Sequence, residues 1–198
     1  VFLPLLWLIN TALKPSSETF SLAFFSGPMT LDNLRGIVTD PKIMRYLLNS
    51  LVVSFASSFL ATAVCAFAGY SFSKFRYRGR KFVMGLFMMS QAFPQAILLL
   101  SIYVLMQKLG LLGSYYALMI SYVVFTLPVG TWTLKTYFDQ LPDSLIESAK
   151  IDGAGNFRIM WKIIFPMAVP GMVSIAIYGF VWSWNCLLYT SPSPRDTE

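Results

Sequence analysis

Three stretches of this chain carry no charged side chain at all: Tyr46–Ser73, Phe82–Gln107 and Leu109–Leu134. Each exceeds the roughly 20 apolar residues that a helix needs to cross a bilayer. Inside hydrocarbon every backbone donor and acceptor must be satisfied by the chain itself, which leaves helices or a closed barrel. Runs this long and this uniformly apolar read as helices. A fourth run begins near Ile163 and continues to Trp184, and Val1–Leu13 is apolar but too short to span. The other source of such runs is a helix buried in a soluble core. Three in succession leave that little room, because the chain is 56% hydrophobic and only 12% charged, whereas soluble domains carry about 25% charged residues.

The cations set the orientation. The linker Ser71–Lys81 holds Lys74, Arg76, Arg78, Arg80 and Lys81 and no acid, whereas the next linker holds only Lys108. The positive-inside rule places Ser71–Lys81 in the cytoplasm. Alternation then puts 108–114 outside, 135–166 inside, and 14–45 outside as a loop of mixed charge. The formal charge of +6 reports topology on this reading, and no nucleic-acid partner is expected. Contact with anionic lipid is the alternative use of the basic linker.

Chemistry is narrowed by what the spans lack. The chain has no His, which removes His-based acid–base catalysis and His-ligated metals. Cys65 and Cys186 are far apart and suggest no disulfide framework. No ionisable residue lies within the three complete spans, whereas ion-coupled carriers and intramembrane proteases need carboxylates at depth. A neutral, hydroxyl-rich substrate is compatible with this pattern. Ser90, Gln91, Pro94 and Gln95 cluster in one span, and Ser121, Tyr122 and Pro128 in the next. Two readings stay open for Gln91, Pro94, Gln95, Ser121 and Tyr122: a kinked, pathway-lining surface whose amides bond a substrate, or helix–helix packing. No metal site and no cofactor are expected.

The segment 135–166 is long for a connector. Pro142 suits a first helical turn, Ser144 and Glu147 have capping-box spacing, Gly153 suits a left-handed helix end, and Asn156 can cap a second short helix ending before Pro166. The first helix, about Pro142 to Asp152, is too short to be stable alone. Leu145, Ile146 and Ala149 give it an apolar stripe, and Ser148 and Ala149 permit close approach. It packs either on its own domain or in a partner's groove.

Glu147-Ser148-Ala149, three residues, Gly153, nine residues, Ile163, one residue, then Phe165-Pro166 resembles the EAA loop of binding-protein-dependent ABC importer permeases. Ser148 stands where that pattern has Ala, and Phe165 where it has Leu. Further pieces resemble the carbohydrate branch of that family, the maltose-type G-subunit permeases: Leu13-Lys14-Pro15, Thr30-Leu31-Asp32-Asn33, Asn49-Ser50-Leu51, Phe75-Arg76-Tyr77-Arg78-Gly79-Arg80, Leu109-Gly110-Leu111, Leu141-Pro142, Lys150-Ile151-Asp152-Gly153-Ala154 and Trp184-Asn185.

The resemblance implies an all-α, polytopic transmembrane bundle of the type I ABC importer permease kind. It would have a remnant first helix over 1–13, an extracytoplasmic loop over 14–45, a permease domain over 46–185 and the EAA loop over 141–166. It implies coupling roles for Glu147, Ser148, Ala149 and Gly153, with Ile163 and Pro166 setting the return into the membrane. It implies as partners a cytoplasmic ABC ATPase dimer, a second permease subunit, an extracytoplasmic sugar-binding protein and membrane lipid. The chain has no Walker A loop, so ATP hydrolysis falls to another subunit and no enzyme activity is expected. Alternatives are a permease for another solute, such as a polyamine or phosphate, and, from other classes, a secondary transporter or membrane enzyme. Segment 186–198, with two prolines, Arg195 and two acids, is unlike a lipid-facing helix. It reads as a non-native tail, with the chain truncated at both ends.

Overall fold

The structure is a computed structural model that describes residues 2–15 and 29–190, with side chains to Cys186. Among the described residues it is all helix: α1 (Phe2–Ala12), α2 (Asp32–Thr39), α3 (Pro41–Lys74), α4 (Arg80–Ser90), α5 (Gln95–Lys108), α6 (Tyr115–Asp139), α7 (Asp143–Ile151), α8 (Asn156–Ile159) and α9 (Phe165–Thr190), with a π-helical turn over Met160–Ile164. Three helical segments are long and apolar enough to cross a membrane: α3, α6 and the run Asn156–Cys186. The pair α4 and α5 makes a fourth if counted as one span.

The chain divides into two compact units, 1–50 and 51–198, with the boundary inside α3. In the first, the turn after α1 is held by the Thr30 N–H donating to Leu13 O at 2.8 Å and by the Asn33 amide donating to the carbonyls of Ala12 and Lys14. Lys14 lies over the Trp7 ring, 5.3 Å from its centroid. The segment 14–45, expected as a loop, carries α2 and the start of α3. The Lys42 N–H donates to the Asp40 carboxylate at 2.8 Å, so Asp40 caps α3 with Pro41 in the first turn, where its missing N–H costs nothing.

The second unit is organised on one face of α3. Ser54, Ser57, Ser58, Ala61, Thr62, Cys65, Ala66 and Gly69 are all buried or closely approached. Lipid tails supply no hydrophobic drive between helices, so association depends on close packing and interhelical hydrogen bonds, and small residues permit both. The Ser58 hydroxyl donates to Ala176 O of α9 at 2.5 Å. A Cβ on Gly130 of α6 would fall 2.6 Å from Cys65 Sγ, and one on Gly69 would fall 3.0 Å from the backbone N of Lys135. At these two crossings α3 and α6 approach to a distance that a methyl group would prevent.

Two expected spans are corrected. Phe82–Gln107 is not one straight helix: α4 and α5 meet at a break and bend by 103°. Pro94 lacks the N–H that would continue α4, sits at φ −55 and ψ 126, and caps α5. The run expected from Leu109 starts as helix only at Tyr115, because α5 ends in a left-handed glycine. Gly110 has φ 69, with Gly110 N bonded to Gln107 O and Leu111 N to Met106 O, the paired Schellman pattern. Ser114 then caps α6, its hydroxyl accepting from Ala117 N at 3.2 Å. The last helix continues to Thr190, into the segment read as foreign; residues 191–198 of that segment lie outside the described residues.

Candidate functional site

Helix α7 lies at the end of the bundle where α3 and α6 finish. Its start differs from the capping box expected of Ser144. Pro142, at φ −58 and ψ 130, is the cap, no side chain caps the helix, and Asp143 opens the first turn. Ser144 is inside the helix, and its carbonyl accepts from the Ser148 hydroxyl at 2.8 Å. An acid in the first turn is favoured by the helix dipole, so Asp143 does part of the work assigned to Ser144. The helix end agrees with expectation. Gly153 has φ 79, Gly153 N bonds Lys150 O at 3.0 Å and Ala154 N bonds Ala149 O at 2.9 Å.

The expected second helix differs at both ends. Gly155 caps α8 and Asn156 is its first residue, with no side-chain cap bond. It also does not end before Pro166. The chain widens into the π turn, where Phe165 N bonds Met160 O, and continues through Pro166 as α9. A proline leaves the carbonyl four residues earlier without a donor. The wider turn immediately before it lets the helix continue.

Two anchors hold α7 to the bundle. One is apolar: Ala149, Ile159, Met160 and Ile164 share a buried cluster with Tyr70, Leu134, Phe138 and Phe165, and Ile146, Leu141 and Ala154 pack against it. Tyr70 meets Phe138 edge-on at 5.9 Å between centroids. The other is polar. Lys74 at the end of α3, with its side chain 10% exposed, donates to Leu141 O at 3.0 Å and to Asp143 Oδ1 at 2.7 Å. The Lys74 ammonium holds the Asp143 carboxyl below its ordinary pKa. Ser73 donates to Asp139 at 2.7 Å, and Asp139 also pairs with Lys135, which ties the ends of α3 and α6.

The six residues expected to serve coupling divide accordingly. Glu147, Ser148 and Gly153 are exposed, whereas Ala149 is buried against its own domain. Glu147 borders a polar cleft of about 240 Å³ that also has Lys74, Arg76, Asp143 and Lys150 on its walls. Ile163 packs half-buried on the core, and Pro166 is exposed. Sequence reasoning missed Ile151 and Phe157, the most exposed apolar side chains here at 87% and 71%. They flank the Gly153 turn. Two bulky apolar residues on either side of a helix-ending glycine in a charged segment were the available signal.

The candidate pathway residues are not brought together. A cleft of about 230 Å³ lies between the α4–α5 elbow and α6, lined by Ser90, Gln91, Ser101, Phe125 and Pro128 among others. Gln91 lines it; Pro94 and Gln95 are exposed on the elbow. Ser121 is half-buried and bonds Ala117 O within its own helix. Tyr122 is buried against Trp182, 5.9 Å between centroids. Among the described residues no group of His, Cys, Asp and Glu could hold a metal.

The fold is similar to that of a bacterial ABC transporter involved in the import of the acidic polysaccharide alginate, with TM-score 0.65 at 21% identity over 92% of this chain and 64% of that one. The sequence is 32% identical to the galactooligosaccharides transport system permease protein GanQ of Bacillus subtilis, over 98% of this chain and 70% of that one. It is 31% identical to the trehalose transport system permease protein SugB of Mycobacterium tuberculosis, over 94% and 68%. It is also 31% identical to the maltodextrin transport system permease protein MdxG of Bacillus subtilis, over 100% and 71%. The chain thus spans about two thirds of the length of these relatives. Residues 66–191, which include the whole α7 region, match the family described as binding-protein-dependent transport system inner membrane component. The chain belongs to that family of inner membrane transport components.

Proposed function

We propose that this chain is a permease subunit of an ATP-driven ABC importer that moves a sugar or oligosaccharide delivered by an extracytoplasmic binding protein. The observation that carries the coupling part is the build of α7. A nine-residue helix presents Glu147, Ser148, Ile151 and, beyond its turn, Phe157 outward, while Ala149 fuses it to the core of the spans. A helix exposed on one face and welded on the other suits the transfer of a push from a partner to the membrane helices. The partner is an ABC ATPase dimer on the cytoplasmic side, and a second permease subunit completes the path. Sugar as the cargo is supported by the names of the relatives, galactooligosaccharides, trehalose and maltodextrin, and by the lack of charged side chains in Tyr46–Ser73, Phe82–Gln107 and Leu109–Leu134.

The chain sits in the cell membrane, with α7 cytoplasmic because Lys74, Arg76, Arg78, Arg80 and Lys81 crowd the same end. The test is co-purification and uptake with the full-length permease carrying Glu147→Lys or Gly153→Asp. Loss of the ATPase or of uptake is expected. Unchanged assembly and uptake in both variants would sink the coupling assignment. Uptake that fails for sugars but proceeds for a polyamine or phosphate would overturn the cargo alone.

A further inference from the structure

A second cleft, about 340 Å³, opens between α4 and α6 on the flank of the bundle, at the end that carries α7. Its walls are Phe72 at the end of α3, Arg80, Lys81, Met84, Gly85 and Met88 on α4, and Trp132 and Lys135 on α6. The two helices run in opposite directions. Arg80 and Lys81 in the first turn of α4 and Lys135 in the last turns of α6 therefore line the same cleft. The rest of the lining is apolar, with Met84 and Phe72 each 5% exposed, Met88 half-buried and Gly85 exposed.

The charge at the mouth is only partly answered by the protein. Arg80 donates to the carbonyls of Ser73 and Phe75, which carry no charge. Lys135 pairs with Asp139. Lys81 is exposed, and no carboxylate lines the cleft. Trp132 stands beside the cations, with the Lys135 ammonium 6.0 Å from its ring centroid, as interfacial aromatics do at headgroup depth.

We propose that this cleft binds one anionic phospholipid, its phosphate between Arg80, Lys81 and Lys135 and an acyl chain along Met84, Gly85 and Met88. The argument is complementarity at both ends of the site. A soluble anion would leave the apolar groove unused, and a neutral lipid would leave the cations unanswered. Topology signalling alone needs cations in a linker, as Arg76 and Arg78 are. It does not need a lysine from α6 to converge on the same opening. The groove is open at Gly85, where a Cβ would meet nothing within 4 Å. Methionine's flexible thioether suits an irregular chain.

The test uses the assembled complex in phosphatidylcholine vesicles, with phosphatidylglycerol brominated near the head of its acyl chains as the probe. The readout is the quenching lost in Trp132→Phe, which isolates the reporter in the cleft. Phosphatidylglycerol should displace phosphatidylcholine at Trp132. Lys81→Gln, a change on an exposed side chain, should reduce that preference about five-fold, the worth of one cation near an anionic surface. Gly85→Leu leaves every charge in place and should abolish quenching by filling the groove. Equal affinity for the two lipids would overturn the proposal. So would a preference untouched by Gly85→Leu, complete competition by inorganic phosphate, or no quenching of Trp132 by the brominated phosphatidylglycerol because a partner subunit covers the cleft.

Discussion

The close approach of α3 and α6 can be tested by adding one methyl group. In Gly130→Ala the new Cβ would lie 2.6 Å from Cys65 Sγ, 3.4 Å from Cys65 Cβ and 3.1 Å from Ile175 Cγ2. Non-bonded carbon contacts are comfortable at about 3.5–4.0 Å, so the helices must part by about 1 Å or Cys65 must turn. Cys65 and Ile175 are 0% and 3% exposed, which leaves the thiol nowhere to go. Overpacking of this kind costs about 1–3 kcal/mol. The helix gains about 1 kcal/mol from replacing glycine with alanine, so the net loss should be about 0–2 kcal/mol. Cys65→Ala removes the sulfur, and there the same substitution should become neutral or stabilising. The two changes should couple by at least about 1 kcal/mol. Unfolding of the four variants by sodium dodecyl sulfate titration measures the coupling. An equal penalty for Gly130→Ala in both backgrounds would refute the steric account and make the glycine a matter of helix bending near Pro128.

Other outcomes follow from the same geometry. Gly153→Ala should cost about 1–2 kcal/mol, because a side chain is forced into the left-handed region while a Cβ would meet nothing; amide exchange should rise in the last turn of α7 and nowhere else. Ala149→Leu should cost about 1–3 kcal/mol by overpacking a site that is 8% exposed, seen as a lower unfolding midpoint. Lys74→Met should open the α6–α7 connection to protease more than Asp143→Asn does, since Lys74 also holds Leu141 O. The depressed Asp143 carboxyl contributes above its unfolded pKa and is lost as pH falls through its lower folded value. Protease protection should therefore be flat from neutral pH to about 5 and fall only below about pH 4.

The spans were legible because a run without charge longer than the bilayer is thick needs only counting. The elbow at Pro94 was not, because a proline in an apolar run is equally compatible with a kink and a full break, and neighbours decide between them. The α7 turn was legible at Gly153, where one backbone conformation admits essentially one residue type. It was misread at Ser144 and Asn156, since both residues are good caps and only the path of Pro142 and Gly155 excludes them from that role. For Ala149 the residues left its own domain and a partner's groove both open, and the resemblance implied a coupling role. Its burial depends on Ile159 and Ile164 folding back over it, a contact that no local spacing encodes. Tyr122 falls within a span as expected, and the face it turns to is set by its contact with Trp182 of α9, whereas Gln91 falls at the elbow that ends α4.

The widened turn over Met160–Ile164 has a consequence for how this stretch of chain tolerates change in length. Removing one residue from an ordinary helix rotates everything beyond it by about 100°, which here would swing α9 off its seam with α3 and α6. A π turn already holds one residue more than its α counterpart. A single deletion inside it would instead relax Phe165 N from its bond to the fifth preceding carbonyl to one with the fourth, and leave the faces of α9 where they are. The segment between the EAA-like loop and the last helix is thus a place in that span where one residue can be lost without unthreading the bundle.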